Sequence, residues 1–269
     1  MQTALATLFE EESLSRAPTP LPEPLRRRYG GDLRIDRGTV YANFVTSLDG
    51  VVAIDPETPP SVISGKSDTD RFVMGLLRAF ADAIVVGAGT LRAEPKHLWT
   101  PGHIYPDAAD AFAELRASSG LAPEPQLFVL TRQGDIDPNG RAFQRGAVVV
   151  TTEKSAARLQ TQLPSASRAI GVPTSSLTVR RVLEVVRSQG HRTVLTEGGP
   201  TVLGEFLKDS LLDELFLTLS PRIAGRNQED QRLGLVEGFA YEPPNLQSAA
   251  LLSAKQDGSH LFLRYRIEG

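Results

Sequence analysis

The run Ala83-Ile84-Val85-Val86 constrains this chain more than any other segment. Four consecutive apolar residues make a short strand of the kind buried on both faces. Just before it, Ser67–Ala81 carries a helical period, with Phe72, Val73, Leu76, Leu77 and Phe80 on one stripe. Ser67-x-x-Asp70 opens that helix like a capping box, with Asp in place of Glu or Gln. A strand covered on both faces needs helices on both sides of its sheet, so the fold class is α/β.

The rest of the chain follows the same alternation. Val40–Thr46 reads as the first strand of the sheet, and a helix is expected near Asp107–Ser118. Strands follow at Gln126–Thr131 and Ala147–Thr151, then a helix from Glu153 to Leu163. Thr178–Gln189 repeats the helical period through Val179, Val182, Leu183 and Val186, with Gly190 as the stop. Strand Thr193–Thr196 leads into a glycine turn and another helix. The ending differs: Glu214–Ser220, Ala249–Ala254 and Leu261–Ile267 are strands, the last two joined by the hairpin turn Gln256-Asp257-Gly258-Ser259. The reading is one mixed, mostly parallel sheet flanked by helices, with an antiparallel C-terminal hairpin and no internal repeat.

Residues 39–269 fill one domain, and residues 1–38 read as a proline-rich N-terminal extension. Arg16–Arg28 holds four prolines, which argue against a continuous helix or central strand. The extension is either a linker or a strap across the body.

Composition removes several function classes. The 269 residues balance 29 basic against 32 acidic side chains, a net charge of −3, with no basic excess for nucleic acid. The absence of cysteine excludes disulfides, thiolate zinc sites, iron–sulfur clusters and cysteine nucleophiles. His97, His103, His191 and His260 are scattered without metal-ligand spacing, so no metal is expected. Met1–Glu12 lacks a secretory pattern, and no apolar run approaches the ~18 residues of a membrane span. A cytoplasmic protein acting on a small molecule is the expectation.

Three turns could carry chemistry. In Thr193–Leu207, a strand runs through Glu197-Gly198-Gly199-Pro200-Thr201 into a helix. Free N–H groups and the positive dipole end suit a phosphate there, although a plain strand-to-helix turn looks the same. A second turn, Gly87-Ala88-Gly89-Thr90, begins like a Rossmann fingerprint but has Arg92 at the third glycine position. Two glycine turns past the C-terminal ends of apolar strands together favour a dinucleotide. In Ser47-Leu48-Asp49-Gly50, Asp49 could act as a general acid or hold the turn. Glu197 could bond a substrate hydroxyl or cap its loop, and Lys66, Arg71 and Arg78 could grip a phosphate.

Taken in order, Ser47-Leu48-Asp49-Gly50, Leu77-Arg78-Ala79, Gly87–Thr90, Glu197–Thr201, Leu212-Asp213-Glu214-Leu215 and Pro221 resemble a known family. It is the reductase domain of riboflavin biosynthesis, the C-terminal half of bacterial bifunctional deaminase-reductases. The likeness is greatest to stand-alone, actinobacterial-type pyrimidine reductases, and spans Thr39–Ile267. It implies a dihydrofolate-reductase-like fold, a homodimer, and NADPH-dependent reduction of 5-amino-6-(5-phosphoribosylamino)uracil to the ribityl compound. Carried over by position, Thr46, Ala53, Thr90 and Glu94 would contact the cofactor. So would Gly199, Pro200, Thr201, Val202, Leu203, Gly204 and Glu205, beside the turn glycines Gly87 and Gly198. Ser64, Arg78, Leu98 and Glu197 would lie toward substrate.

Asp49 or Glu94, or a water held by either, is the expected proton source. Arg132, past the strand ending at Thr131, could pair with the 2′-phosphate of NADPH. Two departures stand out: Glu94 replaces the family's usual Asp, and Trp99-Thr100-Pro101 follows Leu98 where a phosphate-binding arginine is expected. Reduction of another heterocycle such as dihydrofolate, or nucleotide binding without turnover, are the alternatives. The His-x-Glu and Pro-Cys-x-x-Cys motifs of a zinc deaminase are missing from the chain.

Overall fold

Strand and helix alternate through the middle of the chain, as the apolar runs require. The computed structural model describes residues 4–11, 20–55, 58–227 and 232–269. It begins with β1 (Ala6–Glu10), α1 (Glu23–Tyr29), β2 (Val40–Thr46) and β3 (Val51–Ala53). Next come α2 (Asp68–Phe80), β4 (Ala83–Gly87), α3 (Ala88–Ala93), α4 (Pro101–Ile104) and α5 (Ala109–Ser118). β5 (Gln126–Leu130), α6 (Arg141–Gln144), β6 (Ala147–Thr152), α7 (Glu153–Gln160) and β7 (Arg168–Val172) follow. The chain continues through α8 (Val179–Ser188), β8 (Val194–Thr196), α9 (Pro200–Lys208) and β9 (Glu214–Leu219). It ends with β10 (Leu233–Gly234), β11 (Ala249–Asp257) and β12 (His260–Ile267).

Ten strands form one sheet in the order β1-β11-β12-β9-β2-β8-β4-β5-β6-β7. Pairing is parallel from β9 to β7 and antiparallel from β9 through β12 and β11 to β1. The mixed α/β fold expected from the sequence is the one observed. On β4, Ile84 and Val86 pack into the layer of α2 and α5, while Ala83 and Val85 pack against α8 and α9. All four are fully buried, each branched side chain contributing about 1.5–3 kcal/mol. The α2 stripe holds too: Phe72, Leu76 and Leu77 are buried beneath it. Among the described residues no helix is long and apolar enough to cross a membrane.

The N-terminal segment departs from the linker reading. Arg16–Thr19 lie outside the described residues, but α1 forms directly after them because Pro24 falls in its first turn, where no N–H is needed. Leu21, Leu25, Tyr29 and Leu33 then join the large core cluster. The Lys255 ammonium lies 4.7 Å from the Tyr29 ring centre and donates to Thr7 Oγ1 and the Gly30 carbonyl. This stretch is a strap built into the core. Strand β1 escapes the sequence pattern because all its residues are exposed and backbone pairing with β11 holds it. Strand β7 lies at the other edge with only Val172 buried, so it too lacks a clear period.

The α2 terminus is half a capping box. Ser67 Oγ accepts the Asp70 N–H at 3.1 Å, but the Ser67 N–H goes to the Ser64 carbonyl at 3.3 Å and not to the Asp70 carboxyl. At the other end, the buried Arg116 guanidinium donates to the Arg78, Ala79 and Ala81 carbonyls at 2.8–3.2 Å.

Candidate active site

Strands β4 and β8 are neighbours, so the turns at their C-terminal ends open side by side. That is where an α/β sheet binds its ligand. A cleft of about 1260 Å³ lies there, walled also by residues of β2, α2 and the loop after α3.

At one end are the two glycine turns. Gly87 caps α3 and Gly199 caps α9, and neither helix has a side-chain cap at its N-terminus. In α9 Pro200 has no N–H and the Val202 N–H donates to the Gly199 carbonyl at 2.9 Å, which leaves the Thr201 N–H and the helix dipole for an anion. The turns abut, since a Cβ on Gly199 would lie 3.7 Å from Thr90 Oγ1. A Cβ on Gly198 would sit 2.6 Å from Val202 Cγ1, so only glycine permits this close packing of turn on helix. Pro200, Thr201, Val202 and Glu205 continue the wall from α9. Burial raises the Glu205 carboxyl pKa, against the pull of the nearby Arg132 guanidinium. Arg132 stands in the cleft wall with Nη1 3.4 Å from the Thr174 carbonyl.

At the other end, Arg78 from α2 meets Glu197. Arg78 Nε lies 3.0–3.1 Å from both carboxylate oxygens and Nη2 lies 2.7 Å from Oε2. Arg78 Nη1 reaches His97 Nε2 at 2.9 Å and the Leu98 carbonyl at 3.3 Å. His97 is therefore an acceptor at Nε2 and carries its proton on Nδ1, 3.5 Å from Glu94 Oε2. Burial, then the Arg78 charge, pushes the imidazole down to about 2, so it stays neutral. Burial raises the Glu94 carboxyl, with Arg78 opposing.

The structure brings together most of the residues expected from the sequence. Ala53, Ser64, Arg78, Gly87, Thr90, Glu94 and Arg132 line the cleft, as do Glu197, Gly198 and Gly199. Five do not: Asp49 lies in an exposed turn, and the other four form the packing behind the cleft. Thr46 is buried and donates to the Ser47 carbonyl, and Leu203 lies in the core under α9. Gly204 lets the Glu237 carbonyl approach to where a Cβ would collide. Leu98 gives Arg78 its carbonyl while its side chain is buried.

Two roles also change. Asp49 is an exposed turn anchor: its carboxylate accepts from Ser47 Oγ at 2.6 Å, Ala224 N at 3.0 Å and Gly225 N at 2.6 Å. These bonds hold it well below the usual carboxylate range, the wrong direction for a proton donor. Arg78 has its charge matched by Glu197, whereas Lys66 and Arg71 also line the cleft, Arg71 donating to the Ile104 carbonyl at 3.0–3.2 Å. Asp70 and His97 are cleft residues that sequence reasoning missed. Asp70 read as a cap and His97 as one of four scattered histidines, and no local spacing marks either as a wall residue.

A family model described as the RibD C-terminal domain matches residues 38–254. The 2,5-diamino-6-ribosylamino-4(3H)-pyrimidinone 5′-phosphate reductase of Methanothermobacter thermautotrophicus is 25% identical over 238 residues, 87% of this chain and 100% of that protein. The riboflavin biosynthesis protein RibD of Mycobacterium tuberculosis is 27% identical over 183 residues, 68% of this chain; the match spans 42% of that longer protein. The crystal structure of a pyrimidine reductase-like protein from Corynebacterium diphtheriae superposes with a TM-score of 0.67 at 22% identity, covering 86% of this chain and 92% of that one.

Proposed function

The chain belongs to the family of the RibD C-terminal domain, and from that premise we propose that it is an NADPH-dependent reductase of a phosphorylated ribosylaminopyrimidine in riboflavin biosynthesis. The substrate in this reading is 5-amino-6-(5-phosphoribosylamino)uracil and the product its ribitylamino counterpart. One observation carries it: two uncapped helix N-termini and a buried arginine–glutamate pair share a single cleft.

A nicotinamide dinucleotide fits the residues present. Thr90, Gly199 and Thr201 offer backbone amides and hydroxyls for its pyrophosphate, with Gly87, Gly198, Ala53, Val202 and Glu205 alongside. Arg132 is the group for a 2′-phosphate. When bound, the nucleotide supplies hydride. The chain's own task is to position, to exclude water and to provide a proton. Glu197, fixed by Arg78, and Ser64 face a ribose hydroxyl, while Lys66 and Arg71 offer charge to a phosphate. Glu94, turned toward neutral His97 at the end of α3, serves the reacting end.

The reading extends to residues 39–269 as the reductase unit, strapped by residues 1–38, working as a homodimer in the cytoplasm. Leu8 and Phe9, exposed on edge strand β1, support self-association. Light scattering of the purified protein at twice the chain mass is the expected result.

The decisive assay follows nicotinamide absorbance with each candidate substrate. Oxidation of NADPH by the phosphoribosylaminouracil is expected. The archaeal relative is named for the 2,5-diaminopyrimidinone analogue, so that compound belongs in the same assay. Oxidation with dihydrofolate alone would overturn the proposal, and tight NADPH binding without turnover would mark a non-catalytic binding protein.

A further inference from the structure

Asp70 enters the cleft wall from the first turn of α2. Beside it are two hydroxyl residues, Ser64 on the loop before α2, whose Oγ donates to the Ser61 carbonyl at 3.2 Å, and Thr218 on β9. Asp70 is 6% exposed, and both hydroxyl residues are buried. Two ionisable groups face it from the other elements. His260 on β12 places Nε2 3.0 Å from the Ser64 carbonyl, and Glu197 after β8 is neutralised by Arg78. The contrast with Glu197 is the informative point. Glu197 is met by a guanidinium, as a buried structural carboxylate should be, whereas Asp70 has hydroxyl residues beside it and, among the described residues, no ion pair. Burial raises its pKa, with Thr218, His260 and Ser64 pulling the other way. Capping does not explain the residue, because Ser67 already supplies the cap.

We propose that Asp70 is the acid that protonates the substrate nitrogen during reduction. The inference rests on the reductase reading above. In the ring-opened substrate the ribosyl carbon is joined to the pyrimidine's exocyclic nitrogen as C=N. Hydride from the reduced nicotinamide forms the new C–H bond, and the π pair moves onto nitrogen. That pair takes the Asp70 proton as the new N–H bond, leaving a carboxylate that regains its proton from water. Net consumption is one substrate, one NADPH and one proton.

The experiment measures kcat against pH, with NADPH affinity by fluorescence, for wild type, Asp70→Asn, Asp70→Glu and Thr218→Val. An acid must start protonated, so wild-type kcat falls as pH rises through the Asp70 pKa. Asp70→Asn should lose about 100-fold or more in kcat with unchanged NADPH affinity, and Asp70→Glu should restore part of it. Thr218→Val removes a hydroxyl that favours the ionised form, so the basic limb should move to higher pH. This arm stands even if Asp70→Asn folds poorly. Asp70→Asn with kcat within about tenfold of wild type, or a limb unmoved in Thr218→Val, would overturn the assignment alone. A wild type that does not oxidise NADPH with either pyrimidine would overturn the reductase reading and this inference with it.

Discussion

Arg78 and Glu197 stand 119 residues apart in the chain and meet as a two-pronged ion pair in the cleft wall, with side chains 2% and 8% exposed. The pair ties α2 to the loop that follows β8, joining the helix that carries Asp70 to the turn that carries the glycines. Neither charge is tolerable alone at that burial.

Arg78→Met should leave Glu197 buried and unpaired, costing about 3–5 kcal/mol of stability. The double variant Arg78→Met with Glu197→Leu should recover most of that loss while remaining inactive. Urea unfolding midpoints of both variants, beside their turnover, check this. A double variant less stable than Arg78→Met would show that the pair is not coupled in this way.

His97 couples stability to pH. Its pKa is about 2 in the folded chain against 6.5 for a free imidazole, so below about pH 6.5 the unfolded state binds the extra proton. Its contribution is therefore present above 6.5 and is lost as pH falls, by up to about 1.4 kcal/mol per unit. His97→Gln keeps an acceptor for Arg78 and should flatten the stability difference between about pH 7 and pH 5.5. Unchanged pH dependence in that variant would contradict a neutral His97.

Asp49 separates a turn anchor from a proton donor. Asp49→Ala removes the acceptor for Ala224 N and Gly225 N and should lower the thermal midpoint. Its kcat should stay within about tenfold of wild type, against the ~10²–10⁴ lost with a general acid. Thermal melts and steady-state kinetics on the same preparation decide between the two roles.

Arg132→Ala should erase the preference for NADPH over NADH, by roughly tenfold or more, the size of one charge-assisted hydrogen bond. NADH kinetics should be unaffected. An unchanged preference would remove Arg132 from the 2′-phosphate.

The central part of the fold is legible because its signals are local. The four apolar residues of β4, the stripe Phe72-Leu76-Leu77 and the hydroxyl cap at Ser67 each sit within one turn or one strand. The N-terminal strap is not. Its prolines argue against helix, yet Pro24 is harmless in the first turn of α1, and Leu25 is drawn into a core made by distant elements. Strand β1 is exposed at every position and owes its place to a partner at the far end of the chain.

The cleft divides along the same line. Glycine turns after apolar strands, and the helix N-termini they open, follow from the sequence alone, because backbone sterics and the helix dipole act over a few residues. Which charge meets which was decided only by the sheet order. It brings Glu197 to Arg78, sends Asp49 to the loop at Ala224–Gly225, and sets Asp70 against Thr218. A buried charge takes its free energy from the partner within a few ångströms, and spacing along the chain carries no record of that partner.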